Sequence, residues 1–149
     1  MAKFVDLPLT TVQKSFFSKD GSRLMTDDAE GEVRVWEVPT GKLLFVFAGG
    51  IGISAGSFST DNLTLATATG NTARLWSLRT GRELMSFDNT RAIEFSPDGQ
   101  VIAQIRADDT LYLAHLPPLH DIDNPQPKPL AQLAESAKSS AGAFEPVAR

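Results

Sequence analysis

The sequence predicts an all-β fold built from about three four-stranded antiparallel sheets, and two recurrences support this prediction. The stretch VRVWEVPTGKLL at 33–44 returns as ARLWSLRTGREL at 73–84, which is 40 residues further along the chain. A turn motif, Phe-Ser-x-Asp followed by Gly or Asn, begins at Phe17, Phe58 and Phe95, with spacings of 41 and 37 residues. Self-similarity at a fixed spacing of about 40 residues indicates a repeat architecture.

Each copy contains short segments with the pattern of half-buried strands. VRVWEV, for example, alternates branched or aromatic residues with charged residues, which is a period of two. No segment combines helical length with a 3.6-residue period, and Asp, Asn, Gly and Pro between the segments favour tight turns. The predicted strands are 12–17, 23–27, 32–38 and 42–47 in the first copy, 53–58, 64–69, 72–78 and 83–87 in the second, and 91–95, 101–106 and 110–115 in the third.

In combination, the VRVW and ARLW strands, the FSxDG turns and the TGxxL turns resemble the WD-repeat family over roughly residues 3–116. The resemblance implies a partial β-propeller, in which each sheet is a blade that packs its face on the next blade. Residues 1–116 would then hold blade 1 at about 12–47, blade 2 at about 53–87, blade 3 at about 91–115 and an extra outer strand at about 3–7.

The resemblance also implies structural roles for the marker residues of the blades. Trp36 and Trp76 would be buried packing residues, and Asp108 would occupy the family's acidic turn position. The family's hydrogen-bond network is incomplete here, since Gly49-Gly50 replaces its Gly-His pair and Ala114 replaces the third tryptophan. Thr26 and Thr67 are the hydroxyls expected to partner the tryptophans.

Residues 117–149 have a different composition. The stretch LPPLHDIDNPQPKPL is rich in proline, and Ala dominates the part that follows. This composition predicts a proline-rich linker and a largely disordered tail. An alternative is that residues 129–134 return as the fourth strand of blade 3.

Three copies are fewer than the four to eight blades of a typical closed propeller, so the ring needs completion. Three interpretations are open: the chain is the C-terminal part of a longer propeller, it closes by self-association, or it is an open wedge that docks on another protein. Each interpretation predicts exposed apolar faces on the end blades, and such faces mark association surfaces.

The composition argues against several classes of function. The net charge of −4 and the scattered basic residues argue against nucleic-acid binding and against attraction to an anionic membrane. The absence of cysteine excludes disulfides, thiolate metal sites and a cysteine nucleophile. No signal peptide and no membrane-spanning run is visible, which favours a cytoplasmic protein.

Several acidic residues and both histidines are candidates for chemical sites. TDDAEGEVRVWE at 26–37 partly fits a calcium-binding loop, but its first ligand would be Thr26 and its flanks are strands. The pairs Asp27/Asp28 and Asp108/Asp109, taken as matching positions, are expected to cap backbone N–H groups in surface turns. His115 and His120 belong to no catalytic motif. We therefore expect no catalytic, cofactor-binding or metal-binding residues.

The sequence as a whole predicts a non-catalytic scaffold that mediates protein–protein interaction. A protein partner or self-association would complete its ring. The residues expected to face a partner are Gln13, Ser54 and Arg91, near the start of each first strand. The alternative is an enzyme or small-ligand-binding propeller, formed by self-association, with its site in the central channel.

Overall fold

A computed structural model describes residues 11–116, which form strands and turns. The strands are β1 (Val12–Phe17), β2 (Arg23–Asp28), β3 (Glu32–Glu37), β4 (Lys42–Ala48), β5 (Ile53–Phe58), β6 (Thr64–Thr69), β7 (Thr72–Ser77), β8 (Glu83–Asp88), β9 (Thr90–Phe95), β10 (Val101–Arg106) and β11 (Leu111–His115). Each begins and ends within one residue of the segment that the sequence predicts.

The strands form three antiparallel sheets, which confirms the predicted fold class. The sheet orders are β1-β2-β3-β4, β5-β6-β7-β8 and β11-β10-β9, and we call these sheets blades 1, 2 and 3. Blade 3 has three strands within the described residues. The predicted outer strand at 3–7, the linker and tail at 117–149 and the candidate fourth strand at 129–134 lie outside the described residues.

The FSxDG motifs are self-contained turns held by side-chain hydrogen bonds. The hydroxyls of Ser18 and Ser59 each donate to the Asp two residues later, at 2.7 and 2.6 Å. Each also accepts the backbone N–H five residues later, at 2.9 Å. The glycine position has φ near +60 to +70°, with +70° at Gly21 and +58° at Asn62, which is why Asn is the workable replacement there.

Two apolar clusters join the blades, because alternate residues of each strand point to opposite faces of its sheet. The cluster between blades 1 and 2 contains the buried residues Met25, Val33, Val35, Phe47, Ile53, Phe58, Leu65, Trp76 and Leu78. The cluster between blades 2 and 3 contains Ala66, Ala68, Ala73, Leu75, Ile93, Phe95 and Ile102. Blade 2 is therefore covered on both faces, whereas blades 1 and 3 each have one described neighbour.

Candidate functional site

The three residues predicted to face a partner occupy the same special position in their blades. In β1 the pairing passes from Val12 to Lys14 and skips Gln13, and in β5 it passes from Ile53 to Ala55 and skips Ser54. In β9 the pairing skips Arg91 in the same way. Each of the three is thus the extra residue of a β-bulge and is exposed, and a bulge re-aims the side chain that it carries.

The bulges also form polar contacts between blades. Lys14 Nζ of blade 1 donates to the carbonyl of Ser54 in blade 2 at 3.3 Å. The Ser54 hydroxyl in turn donates to the carbonyl of Arg91 in blade 3 at 2.7 Å. In blades 2 and 3 the carbonyl of the bulged residue therefore accepts a hydrogen bond from the preceding blade. The Arg91 side chain, which is half exposed, forms an ion pair with Asp109. Binding of a partner by these residues stays a prediction.

The face of blade 1 that turns away from blade 2 is apolar and exposed along β1. We call it the leading face, and it carries Val12 and Phe17. Their equivalents in blade 2, Ile53 and Phe58, are only 1% and 4% exposed because they pack on blade 1, whereas Val12 and Phe17 are 45% and 63% exposed. Further out on the same face, Trp36 is buried.

The face of blade 3 that turns away from blade 2 is its counterpart, and we call it the trailing face. Leu111 pairs with Ile105 and Leu113 with Ala103, so the four share this face. Leu113 is equivalent to Val35 and Leu75, which are 0% and 1% exposed because a following blade covers them, but Leu113 itself is 46% exposed. Leu111 is 62% exposed. Residues that belong to the core in blades 1 and 2 thus lie open on blade 3.

The two tryptophans are buried and bonded to the hydroxyls that the sequence pointed to. Trp36 Nε1 donates to Thr26 Oγ1, and Trp76 Nε1 donates to Thr67 Oγ1, both at 2.9 Å. Both indole rings are therefore unavailable as exposed platforms for a ligand.

Gly49 stands where the family has the glycine of its Gly-His pair, and its backbone carbonyl binds two side chains of blade 2. Thr69 Oγ1 donates to this oxygen at 3.0 Å and Arg74 Nη1 at 3.3 Å. The segment between blades 1 and 2 is thus fixed through a backbone oxygen. Sequence reasoning missed this contact, since a glycine carbonyl leaves no side-chain signal.

The acidic pairs differ from the expectation in two respects. Asp27 and Asp28 end β2 and are buried, whereas Asp108 and Asp109 lie in the turn after β10, so the pairs neither match in position nor both lie in surface turns. The expectation of capping is confirmed: Asp28 Oδ1 accepts the N–H groups of Glu30 and Glu32, at 3.1 and 2.9 Å. Asp108 Oδ1 likewise accepts the N–H of Thr110 at 3.0 Å.

Asp28 also forms an ion pair with Arg34 on β3. Burial acts to raise the pKa of Asp28, but the hydrogen bond and charge of Arg34, with the N–H of Glu32, outweigh burial and lower the pKa below 3.8. The carboxylate is therefore ionised at neutral pH and serves the turn between β2 and β3. Two carboxylates of the acidic run at 27–32, those of Asp28 and Glu32, thus pair with Arg34.

Within residues 11–116, no group of three or more His, Asp or Glu side chains is arranged to hold a metal ion. His115 lies at the end of β11, and His120 lies outside the described residues. Over the same range, no helix has the length and apolar character needed to cross a membrane.

Comparisons with known proteins identify similar sequences, although no family model matches the chain. Pre-mRNA-processing factor 19 homolog 2 from Arabidopsis thaliana is 33% identical over 99 residues, which are 64% of this chain and 19% of that protein. Pre-mRNA-processing factor 19 from Oryza sativa subsp. japonica is 33% identical over 103 residues, 64% of this chain and 20% of that protein.

Apoptotic protease-activating factor 1 from Rattus norvegicus is 32% identical over 117 residues, which are 68% of this chain and 9% of that protein. The chain therefore spans a fifth or less of the length of the curated relatives it matches, all of which are WD-repeat proteins. With the repeated FSxDG and Trp-containing strands and the three stacked antiparallel sheets, these similarities show that the chain belongs to the WD-repeat family.

Proposed function

We propose that the chain is a non-catalytic scaffold that binds protein through the open faces of its end blades. The observation that carries the proposal is the exposure of Leu111 and Leu113 at positions that are buried core in blades 1 and 2. Contiguous exposed apolar side chains on a water-soluble surface mark a site of association. An exposed edge adds to this, since the edge of β11 away from β10 pairs with no described strand.

The charge of the chain favours a protein as the partner. A net charge of −4 supplies no general attraction to nucleic acid or to anionic lipid. The trailing face is moreover built from aliphatic side chains on a strand, which suits the packing of another sheet. A cytoplasmic location remains part of the proposal and rests on the sequence.

Site-specific photo-crosslinking tests the proposal. A benzophenone amino acid replaces Leu113 on the trailing face in one variant. In the control variant it replaces Ile51, which lies in the segment between blades 1 and 2. Leu113 is 46% and Ile51 is 69% exposed, so the probe is at least as accessible in the control. After irradiation in whole cells, crosslinked products are identified by mass spectrometry.

We expect a defined protein adduct from position 113 and a much weaker one from position 51. The adduct protein, whether another protein or this same chain, identifies the partner. Equal labelling at both positions, or no adduct at 113, would contradict the proposal.

A further inference from the structure

We propose that the partner on the trailing face is the leading face of a second copy of this chain, so that two copies close a six-bladed ring. The inference rests on the proposed function, because it takes the open faces of the end blades as binding surfaces. Each open face would then be covered by the opposite face of the second copy.

The first support is that the chain carries both surfaces of one type of interface between blades, which we call a joint. In the joint between blades 1 and 2, Phe58 packs in a cluster with Met25 and Val35. In the joint between blades 2 and 3, the equivalent Phe95 packs in a cluster with Ala66 and Leu75. The next repetition of this joint would place a phenylalanine on Ala103 and Leu113.

Phe17 is the phenylalanine that the repetition requires. It is the equivalent of Phe58 and Phe95, and it is exposed on the leading face. Docking of Phe17 from one copy against Ala103 and Leu113 of the other therefore repeats a contact that the chain already makes twice. Val12 would then meet the part of the trailing face that carries Ile105, as its equivalent Ile53 belongs to the first joint.

The two open faces also carry the donor and the acceptor for a polar contact like those between adjacent blades. In both joints within the chain, the carbonyl of a bulged residue accepts a hydrogen bond from the first strand of the preceding blade. The donors are Lys14 Nζ of β1 to Ser54 O, and Ser54 Oγ of β5 to Arg91 O. Gln13 is the bulged residue of blade 1, and Arg91 holds the donor position of Ser54 one blade later. The repeated joint brings the Arg91 guanidinium of one copy to the Gln13 carbonyl of the other.

The number of blades in each chain indicates that two copies form the ring. Closed propellers have about four to eight blades, and residues 11–116 supply three. Two copies give a ring within this range, whereas three copies exceed it. A head-to-tail interface that closes on rotation gives a ring rather than a filament.

Light scattering coupled to gel filtration of the purified full chain is the first test. The expected mass is twice the 16.1 kDa of one chain, and it should stay constant over a hundredfold dilution above the dissociation constant. A species of 16.1 kDa across the whole range would overturn the inference. The proposed function would survive that result if position 113 still crosslinks to a different protein.

Charge substitutions on each face are the second test. Phe17→Glu and Leu113→Glu should each shift the chain to the monomer mass, since each buries a carboxylate in the repeated joint. Ile51→Glu is the matched control, because Ile51 is 69% exposed in the segment between blades 1 and 2. It should leave the dimer intact. The replaced side chains are exposed in a single copy, so circular dichroism should show folded monomers.

Mixing the two variants separates this joint from other dimers. A Phe17→Glu chain retains its trailing face and a Leu113→Glu chain retains its leading face, so the pair can form one intact joint. We expect capture of one differently tagged variant by the other, and no self-capture by either. A dimer lost in Leu113→Glu but kept in Phe17→Glu would show trailing faces packed on each other. That result, or no capture in the mixture, would overturn the inference.

Discussion

The indole of Trp76 stacks on the ring of Phe47 across the joint between blades 1 and 2, with ring centroids 4.9 Å apart and an interplanar angle of 29°. The contact joins the third strand of one blade to the outer strand of the blade before it. Because Trp76 Nε1 also bonds Thr67 within blade 2, one side chain links the packing between blades to the packing within a blade.

Truncation of the blade tryptophans should be among the most damaging single changes. Trp36 is 2% and Trp76 is 6% exposed, and removal of a buried indole typically costs about 3–5 kcal/mol. We expect Trp36→Ala and Trp76→Ala to lower the free energy of unfolding by this amount in urea titrations. A loss below about 1 kcal/mol at either position would mean that the indole is not packed in the native fold.

The hydrogen bond between Trp76 and Thr67 should contribute measurably to the free energy of unfolding. Thr67→Val keeps the shape of the side chain but leaves the buried indole N–H without its acceptor, which should cost about 1–3 kcal/mol. In a Trp76→Phe background there is no N–H to satisfy, so the same substitution should cost close to nothing. Urea unfolding of the four proteins in this double-mutant cycle gives the coupling. Equal costs in the two backgrounds would contradict the assignment.

The strands and turns could be predicted because their causes are local. The FSxDG turns are held by bonds within six residues, such as those of Ser18 with Asp20 and with the N–H of Arg23. The Ser18 hydroxyl, and after it the backbone N–H and hydroxyl of Ser22, donate hydrogen bonds that lower the pKa of Asp20 to about 2. The alternation in VRVWEV likewise fixes which residues of β3 share a face.

The environment of each repeat could not be predicted from the motif alone. Phe17, Phe58 and Phe95 begin the same turn, yet Phe17 is exposed and the other two are buried. The difference arises from the neighbouring blade, not from the residue or its turn. The bulges at Gln13, Ser54 and Arg91 were missed for a related reason, because a bulge depends on the register between two strands.

The approach of Gly49 to Val33 predicts a steric requirement for glycine. A Cβ at position 49 would overlap Val33 Cγ2, and Val33 is fully buried. We expect Gly49→Ala to destabilise the protein by about 1–3 kcal/mol, as overpacking does, with a lower melting temperature. Since Val33→Ala removes the overlapping methyl groups, the double variant should lose less than the sum of the single losses. Strict additivity would rule out the steric explanation.

The ion pair of Asp28 with Arg34 predicts an acid-sensitive contribution to stability. The pKa of Asp28 is lowered in the folded protein from its ordinary value of 3.8, so the carboxylate stabilises the folded state at pH values above 3.8. This contribution should be lost as the pH falls from there through the lower folded-state pKa.

Asp28→Asn removes that contribution at every pH. The variant should therefore be less stable than the wild type at pH 7, by about 1.5–3 kcal/mol for hydrogen bonds to a charged group, and the two proteins should converge in acid. Urea unfolding at several pH values between 7 and 2.5 measures the gap. Glu32→Gln removes the exposed partner of Arg34 and should cost at most about 1 kcal/mol. A gap between wild type and Asp28→Asn that does not narrow between pH 7 and pH 2.5 would show that the charge of Asp28 does not stabilise the fold.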